Sequence, residues 1–376
     1  MRAENSFNKK MIPISRPSIG NEEVKAVADV LKSGTIAQGP KVREFESLFA
    51  KFIGAENAVA VNSGTAALHC ALYAAGIKPG DEVITTPFSF VATANSILMQ
   101  GAKPVFADIE EGSCNINVKN IEEKITKKTK AVIAVDLYGH PYDYEGMKKI
   151  AERHSLQIIE DACQAIGAEC NGRKCGTLGD IGTFSFYATK NITTAEGGML
   201  TTGSDEFAEL ARRFRHHGQS EKTRYEYFDL GFNYRMTDIN AAIGVEQLKK
   251  IEGWNRKRAE NAAYLSKRLG KIKGIKVPVV KEGCIHAFHQ YTIKVEEGFK
   301  LKREQLIEHL GRKGIGTGIY YPKPLHLFSH LRGFGYSQGD FPVAEKISQQ
   351  VLSLPVHPGL SKDDLGHIAD AFAELE

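Results

Sequence analysis

This chain's pattern predicts an α/β protein built on a mainly parallel sheet, followed by a smaller α+β region. Short β-branched runs alternate with amphipathic helical stretches from about residue 20 to about residue 255. Strands separated by helices argue for a parallel sheet covered on both faces. Several of those runs end in a polar residue, as ligand sites at the carboxyl edge of such sheets require. At 376 residues the chain is also too long for one ordinary core.

Seven apolar runs are predicted strands, at 58–62, 82–86, 104–107, 131–136, 157–160, 182–186 and 199–202. Helical periodicity falls between them at 65–75, 91–100, 144–154 and 206–216. A long helical pattern, 238–269, comes next with Asp238 as its cap and bridges the two regions. Beyond it come a strand at 291–295, a helix at 302–312, the loop 320–326, a helix at 341–350 and a last helix from Ser361. The expected division is a large domain, 13–255, and a small one, 256–376, with the segment to about residue 36 packing on the small domain. There is no internal repeat and no low-complexity stretch.

Apolar residues at 42% and charged residues at 25% describe a soluble globular protein. The net charge of +4 is spread over the whole chain, which gives no reason to expect nucleic acid or membrane as a partner. The densest basic cluster, 124–130, reads as a solvated helix end. The six cysteines form no C-x-x-C pair and no zinc spacing, so no metal is expected and reduced thiols in the cytoplasm are the simplest reading. No segment approaches the roughly 18 continuous apolar residues of a membrane span, and the first 15 residues lack the apolar run of a signal peptide.

The chemistry concentrates in a few stretches. Ser185-Phe186-Tyr187-Ala188-Thr189-Lys190-Asn191 sets one lysine after a short aromatic strand, downstream of Glu160-Asp161-Ala162-Cys163-Gln164-Ala165. A Schiff-base lysine and an aspartate for a pyridinium nitrogen are the minimum equipment for pyridoxal 5'-phosphate chemistry. A surface lysine is the common alternative, but Gly197-Gly198 in a short hairpin brings backbone close to whatever Lys190 holds. Asp161 closes an apolar strand, and a carboxylate out of water needs a partner. Gln164 could donate to a ring hydroxyl oxygen. In Asn62-Ser63-Gly64-Thr65 a strand meets a helix, and the Gly64 and Thr65 amides can cradle a phosphate; an ordinary helix cap would look similar. Ser185 offers a hydroxyl to the same anion or simply ends its strand. Phe90 could stack on a pyridine ring, although a lone phenylalanine more often packs in a core. No G-x-G-x-x-G follows the first strand, so a nicotinamide dehydrogenase lacks support.

Five stretches in order, SGTAAL, the Pro87 to Asn95 segment, EDACQA, SFYATKNITTAEGGM and GFNYRMTDINAAIG, resemble the DegT/DnrJ/EryC1/StrS family of pyridoxal phosphate-dependent nucleotide-sugar aminotransferases. The likeness runs from about Pro13 to the C-terminus. It implies the fold type I, aspartate aminotransferase-like architecture, with a mixed, mainly parallel seven-stranded sheet and a smaller α+β C-terminal domain. It implies that Lys190 is the Schiff-base lysine and general base, Asp161 the pyridine partner and Gln164 the contact to the ring hydroxyl. Gly64, Thr65 and Ser185 would hold the phosphate, Phe90 would stack, and Asn233 would reach the phosphate from the partner subunit of a homodimer with shared sites. Substrate contacts would draw on His217, Arg235, Tyr321 and His326, each of which also has a bland reading as a surface or loop residue. The sequence departs from many relatives in having Ala195 for glycine, Cys163 for alanine and Asp136 for a frequent histidine.

The expected reaction moves an amino group from L-glutamate to a nucleotide-linked keto sugar. The Lys190-Asn-Ile-Thr-x-x-Glu-Gly-Gly198 stretch resembles enzymes that aminate C4 of a UDP- or dTDP-linked 4-keto-6-deoxyhexose. The alternatives are a C3-keto-sugar or inositol-derivative aminotransferase, or a non-catalytic regulator that keeps the fold.

Overall fold

Seven strands align into one sheet in a computed structural model that describes residues 11–375 except 221, 222 and 224. In chain order the strands are β1 (Asn57–Val61), β2 (Glu82–Thr85), β3 (Lys103–Phe106), β4 (Thr129–Val135), β5 (Gln157–Asp161), β6 (Glu169–Cys170), β7 (Arg173–Lys174), β8 (Ile181–Ser185), β9 (Gly198–Thr202), β10 (Ile275–Lys276), β11 (Cys284–Ile285), β12 (Tyr291–Val295) and β13 (Val351–Leu354). The helices are α1 (Asn21–Ser33), α2 (Pro40–Ile53), α3 (Gly64–Ala74), α4 (Ala92–Met99), α5 (Tyr144–His154), α6 (Asp205–Arg215), α7 (Asp238–Leu248), α8 (Ile251–Leu269), α9 (Arg303–Arg312), α10 (Ser329–Arg332), α11 (Pro342–Gln350) and α12 (Lys362–Ala373).

The large sheet runs β1-β9-β8-β5-β4-β2-β3. Only β9 is antiparallel to its neighbours. Its seven strands are the seven read from the sequence, shifted by one or two residues at their ends. Both faces are dry because successive residues point to opposite sides. Val132 and Ala134 join α2 and α7 in one core, where Phe45, Phe49, Phe184 and Phe186 pack edge to face. Ala131 and Ile133 join α3 and α6 in the other. A third core forms around β10, β12 and β13 with α8, α9 and α12. A fourth, through Phe88, Phe106, Leu325 and Phe341, lies where the large sheet meets the later segments.

Two local expectations are corrected. The pattern 238–269 is not one helix but α7 and α8, divided at Lys249-Lys250. No helix breaker stands there; instead Lys250 leaves the helix to meet the buried carboxylate of Glu23 at 2.6 Å. Asp238 does not cap its own helix either. Thr237 does so, through the Asn240 amide at 3.2 Å. The buried Asp238 carboxylate turns to α2 and accepts from the amides of Gly39 (2.8 Å), Lys41 (3.1 Å) and Val42 (3.0 Å). A contact spanning about half the chain thus satisfies the free amides at a helix start. At the N-terminus, Ile12 bridges to Ile315 beside the third core, whereas α1 packs on α7. Helices α1, α2 and α10 and strand β13 were not among the elements read from the sequence.

Replacing Asp238 by alanine strands three amides at once. The variant is expected to lose about 2 kcal/mol of unfolding free energy, read as a lower urea midpoint, with Asp238→Asn losing less because it keeps one acceptor oxygen.

Candidate active site

The carboxyl ends of β5 and β8 and the start of α3 open on one cavity of about 460 Å³. Sequence alternation decides what β5 sends there. Glu160 and Asp161 are neighbours, so they face opposite sides of the sheet. Asp161 lines the cavity and is 5% exposed. Its Oδ2 accepts from Thr93 Oγ1 at 2.7 Å, and its Oδ1 accepts from the Cys163 amide at 3.3 Å. Ser89 Oγ lies 2.9 Å from the same Thr93 hydroxyl, so the carboxylate is oriented by α4 and the turn before it. Among the described residues no cation pairs with Asp161 within 4 Å.

Lys190 sits in the loop after β8 and lines the same cavity, part-buried. The loop is fixed around it: Lys190 N donates to Tyr187 O, Thr193 Oγ1 to Phe186 O, and the Asn191 amide to Asn255 Oδ1 and Ala287 O. Burial lowers the Lys190 pKa below the usual lysine value, against the opposing pull of Cys163 and Asp161. An amine eased toward its neutral form, sharing a cavity with a carboxylate it does not bond, suits a group that must form and release covalent bonds.

The start of α3 builds the anion end. Ser63 caps the helix through the Ala66 amide at 3.1 Å, leaving the Gly64 and Thr65 amides among the unbonded first donors. Gly64 fits only without a side chain, since a Cβ there would lie 2.8 Å from Ser185 Cβ. Gly198 of β9 presses on the same turn, where a Cβ would fall 2.3 Å from Ser63 O. The glycine pair therefore lets β9 close on the start of α3. Ala195 in that hairpin is held at φ 67, the left-handed region that favours glycine.

Gln164 turns one end to structure and one to the cavity. Its Oε1 accepts from Tyr138 N at 2.9 Å, which leaves the amide NH2 3.5 Å from Tyr321 Oη. Phe90 is 55% exposed on the cavity rim, its ring 6.3 Å from that of Tyr321. Burial raises the Tyr321 phenol, so it stays protonated.

The structure thus brings together Gly64, Thr65, Phe90, Asp161, Gln164, Ser185, Lys190 and Tyr321 around one cavity. It places the remaining candidates elsewhere. Asn233 is exposed and bridges to His216, and Asn62 Nδ2 reaches its carbonyl at 3.5 Å. Arg235 lies 2.7 Å from His216 Nδ1, and His217 is exposed. His326 is buried beside Phe341, its Nε2 3.0 Å from Glu345 Oε1, and does not line the cavity. The proline-bounded loop that carries His326 turns the ring inward.

The cavity wall also includes Glu196, His289 and Gln290, together with Thr93 and Tyr320, two residues not singled out for the site from the sequence. Thr93 was recoverable, lying one helical turn beyond Phe90 in the same segment. His289 is pushed well below the usual histidine pKa, first by burial and then by the Lys190 and Arg258 charges. Its imidazole is neutral and its Nδ1 has no partner among the described residues. Asp136, whose role the sequence left open, faces away from the cavity. Burial and the charge of Glu160 raise it well above the usual carboxyl range, and burial raises Glu160 beside it behind β5.

These residues fit pyridoxal 5'-phosphate: among the described residues, a buried carboxylate without a cation and a lysine side chain without a hydrogen-bond partner, beside a glycine-shaped cradle at a helix start. A sequence profile of the DegT/DnrJ/EryC1/StrS aminotransferase family matches residues 17–373. The spore coat polysaccharide biosynthesis protein SpsC of Bacillus subtilis is 40% identical over 97% of each chain. The GDP-perosamine synthase of Caulobacter vibrioides is 37% identical over 97% of this chain and 98% of its own. The crystal structure of S. venezuelae DesV superposes with a TM-score of 0.90 at 36% identity, covering 94% of each chain. No helix among the described residues is long and apolar enough to cross a membrane.

Because burial disfavours the ammonium form, neutral Lys190 amine should appear at lower pH than for an exposed lysine. Acylation of the cofactor-free protein, followed by peptide mass analysis across pH, is expected to show a Lys190 midpoint below the roughly 10.4 of ordinary lysine. A midpoint at or above that value would contradict the environment described.

Proposed function

Since the chain belongs to the DegT/DnrJ/EryC1/StrS family of pyridoxal phosphate-dependent sugar aminotransferases, we propose that it moves the amino group of L-glutamate to C4 of a UDP- or dTDP-linked 4-keto-6-deoxyhexose. The observation that carries this reading is Lys190 facing Asp161 across one cavity with no bond between them. When bound, pyridoxal phosphate supplies an electron sink that makes a proton on the carbon next to nitrogen removable. The Asp161 carboxylate, held by Thr93, would partner the ring nitrogen and favour its protonated form. Gln164 would donate to the ring oxygen, the Gly64 and Thr65 amides of α3 and Ser185 would hold the phosphate, and Phe90 would stack on the ring. Lys190 Nζ, whose ammonium form burial disfavours, would take and return the proton.

The choice of sugar carbon rests on the Lys190–Gly198 stretch. Glu196, the residue by which that stretch differs from the Asp-Gly-Gly pattern of relatives that act at C3, lines the cavity. Purified protein reconstituted with pyridoxal phosphate is expected to be yellow and to bleach with L-glutamate. Supplied with UDP-, dTDP- or GDP-linked 4-keto sugars, it should yield a product carrying nitrogen at C4 by NMR. Nitrogen at C3 would overturn the assigned position. Lys190→Ala is expected to lose turnover altogether; glutamate-dependent turnover in that variant would remove Lys190 from its role.

The working unit in this reading is a homodimer with shared sites. Asn233 does not line the cavity of its own chain, and Tyr225, Tyr227, Phe228 and Leu230 nearby are 50–79% exposed. Such an apolar cluster favours a partner surface, and a second copy would bring Asn233 to the first copy's phosphate. Asn233→Ala is expected to weaken cofactor retention about tenfold, the value of roughly one phosphate hydrogen bond. A monomer in sedimentation at micromolar concentration would overturn the shared site.

A further inference from the structure

Cys170 and Cys284 are separated by more than a hundred residues of sequence, yet they stand directly opposite each other where β6 pairs with β11. Their sulfurs lie 3.6 Å apart, both side chains are part-buried, and neither is bridged. The backbone favours closer approach. Asn171 N donates to Gly283 O at 2.8 Å, which makes the next pair, Cys170 and Cys284, the non-hydrogen-bonded one. Opposed Cα atoms at such a pair lie roughly 4.5 Å apart, inside the roughly 4.4–6.8 Å range that a disulfide spans. The hairpin that carries Cys170 is itself fixed: Asn171 (φ 49) and Gly172 (φ 77) make the tight turn joining β6 to β7.

We propose that Cys170 and Cys284 are a redox modification site, closing to a cross-strand disulfide when the chain meets a low-molecular-weight disulfide. With a small disulfide as oxidant, one protein thiolate attacks it and releases one small thiol. The second protein thiolate then displaces the other small thiol as the intramolecular bond forms. The two electrons and both protons leave on the two small thiols. Cys170 is pushed up to about 11 by burial and by the adjoining Cys284 sulfur, so the reaction should quicken as pH rises.

The bond would matter because β11 leads into the cavity wall. The chain passes directly from Ile285 to the segment 286–290, whose His289 and Gln290 line the cavity. That segment's carbonyls are otherwise held by side-chain donors, among them Asn191 Nδ2 to Ala287 O and the Arg258 guanidinium to Phe288 O. A disulfide would tie the β6–β7 hairpin covalently to the strand that carries this cavity wall. The proposal stands whichever sugar the enzyme uses.

Purified full-length protein is treated with oxidised glutathione, alkylated with N-ethylmaleimide, digested without reduction and mapped by mass spectrometry. The expected result is one linked peptide pair holding Cys170 and Cys284, lost on treatment with dithiothreitol and absent from Cys170→Ser and Cys284→Ser. A thiol titration of the wild-type protein, which needs no variant, should fall by two groups over the same treatment. Recovery of the two cysteines on separate peptides, alkylated or glutathionylated, would overturn the proposal.

Discussion

A carboxylate placed where water is scarce, with no cation of its own, is the constraint on which the rest of this structure depends. Asp161 is 5% exposed and held by a threonine hydroxyl and a backbone amide, neither of which neutralises it. Isolated buried charge is costly, and in the function proposed above a cationic ring nitrogen would supply the missing partner. Lys190 lines the same cavity but does not close on it, because its loop is pinned through Phe186, Asn191 and Ala287. The separation of these two groups leaves the cavity available to a cofactor.

The alternation of β5 lets adjacent acids take opposite fates. Asp161 turns to the cavity, while Glu160 turns behind the sheet to lie against Asp136, buried beside Cys175 and Tyr142, where burial raises both carboxyls. Glu160 further accepts from the amides of Leu178 and Gly179, which anchors the turn leading into β8 and thus toward Lys190. The buried acid pair and the cavity are therefore two faces of one strand.

The anion end depends on close approach rather than on charge. The α3 start, Gly64, Ser185 and Gly198 meet within distances that admit no added Cβ. The left-handed Ala195 stands in the same hairpin, a position where many members of the family this chain resembles carry glycine. Backbone donors held this rigidly need no reorganisation when a phosphate arrives.

The sequence by itself determined the sheet and its helices from residue 58 to 216, because period-two and 3.6-residue patterns survive wherever one face is buried. It also pointed to Lys190, Asp161, Gln164, Gly64, Thr65, Ser185 and Phe90 as a set, through the ordered stretches that resemble the DegT/DnrJ/EryC1/StrS family, and these residues line one cavity. Only the tertiary structure decided partners distant in sequence. Asp238 caps α2 rather than its own helix, Lys250 breaks the 238–269 pattern to reach Glu23, and Thr93 orients Asp161. His326 carries no local signal that its loop turns it onto Glu345, and Cys170 and Cys284 meet only because β6 and β11 pair. Local patterns encode which face of an element is buried; they do not encode which other element arrives there.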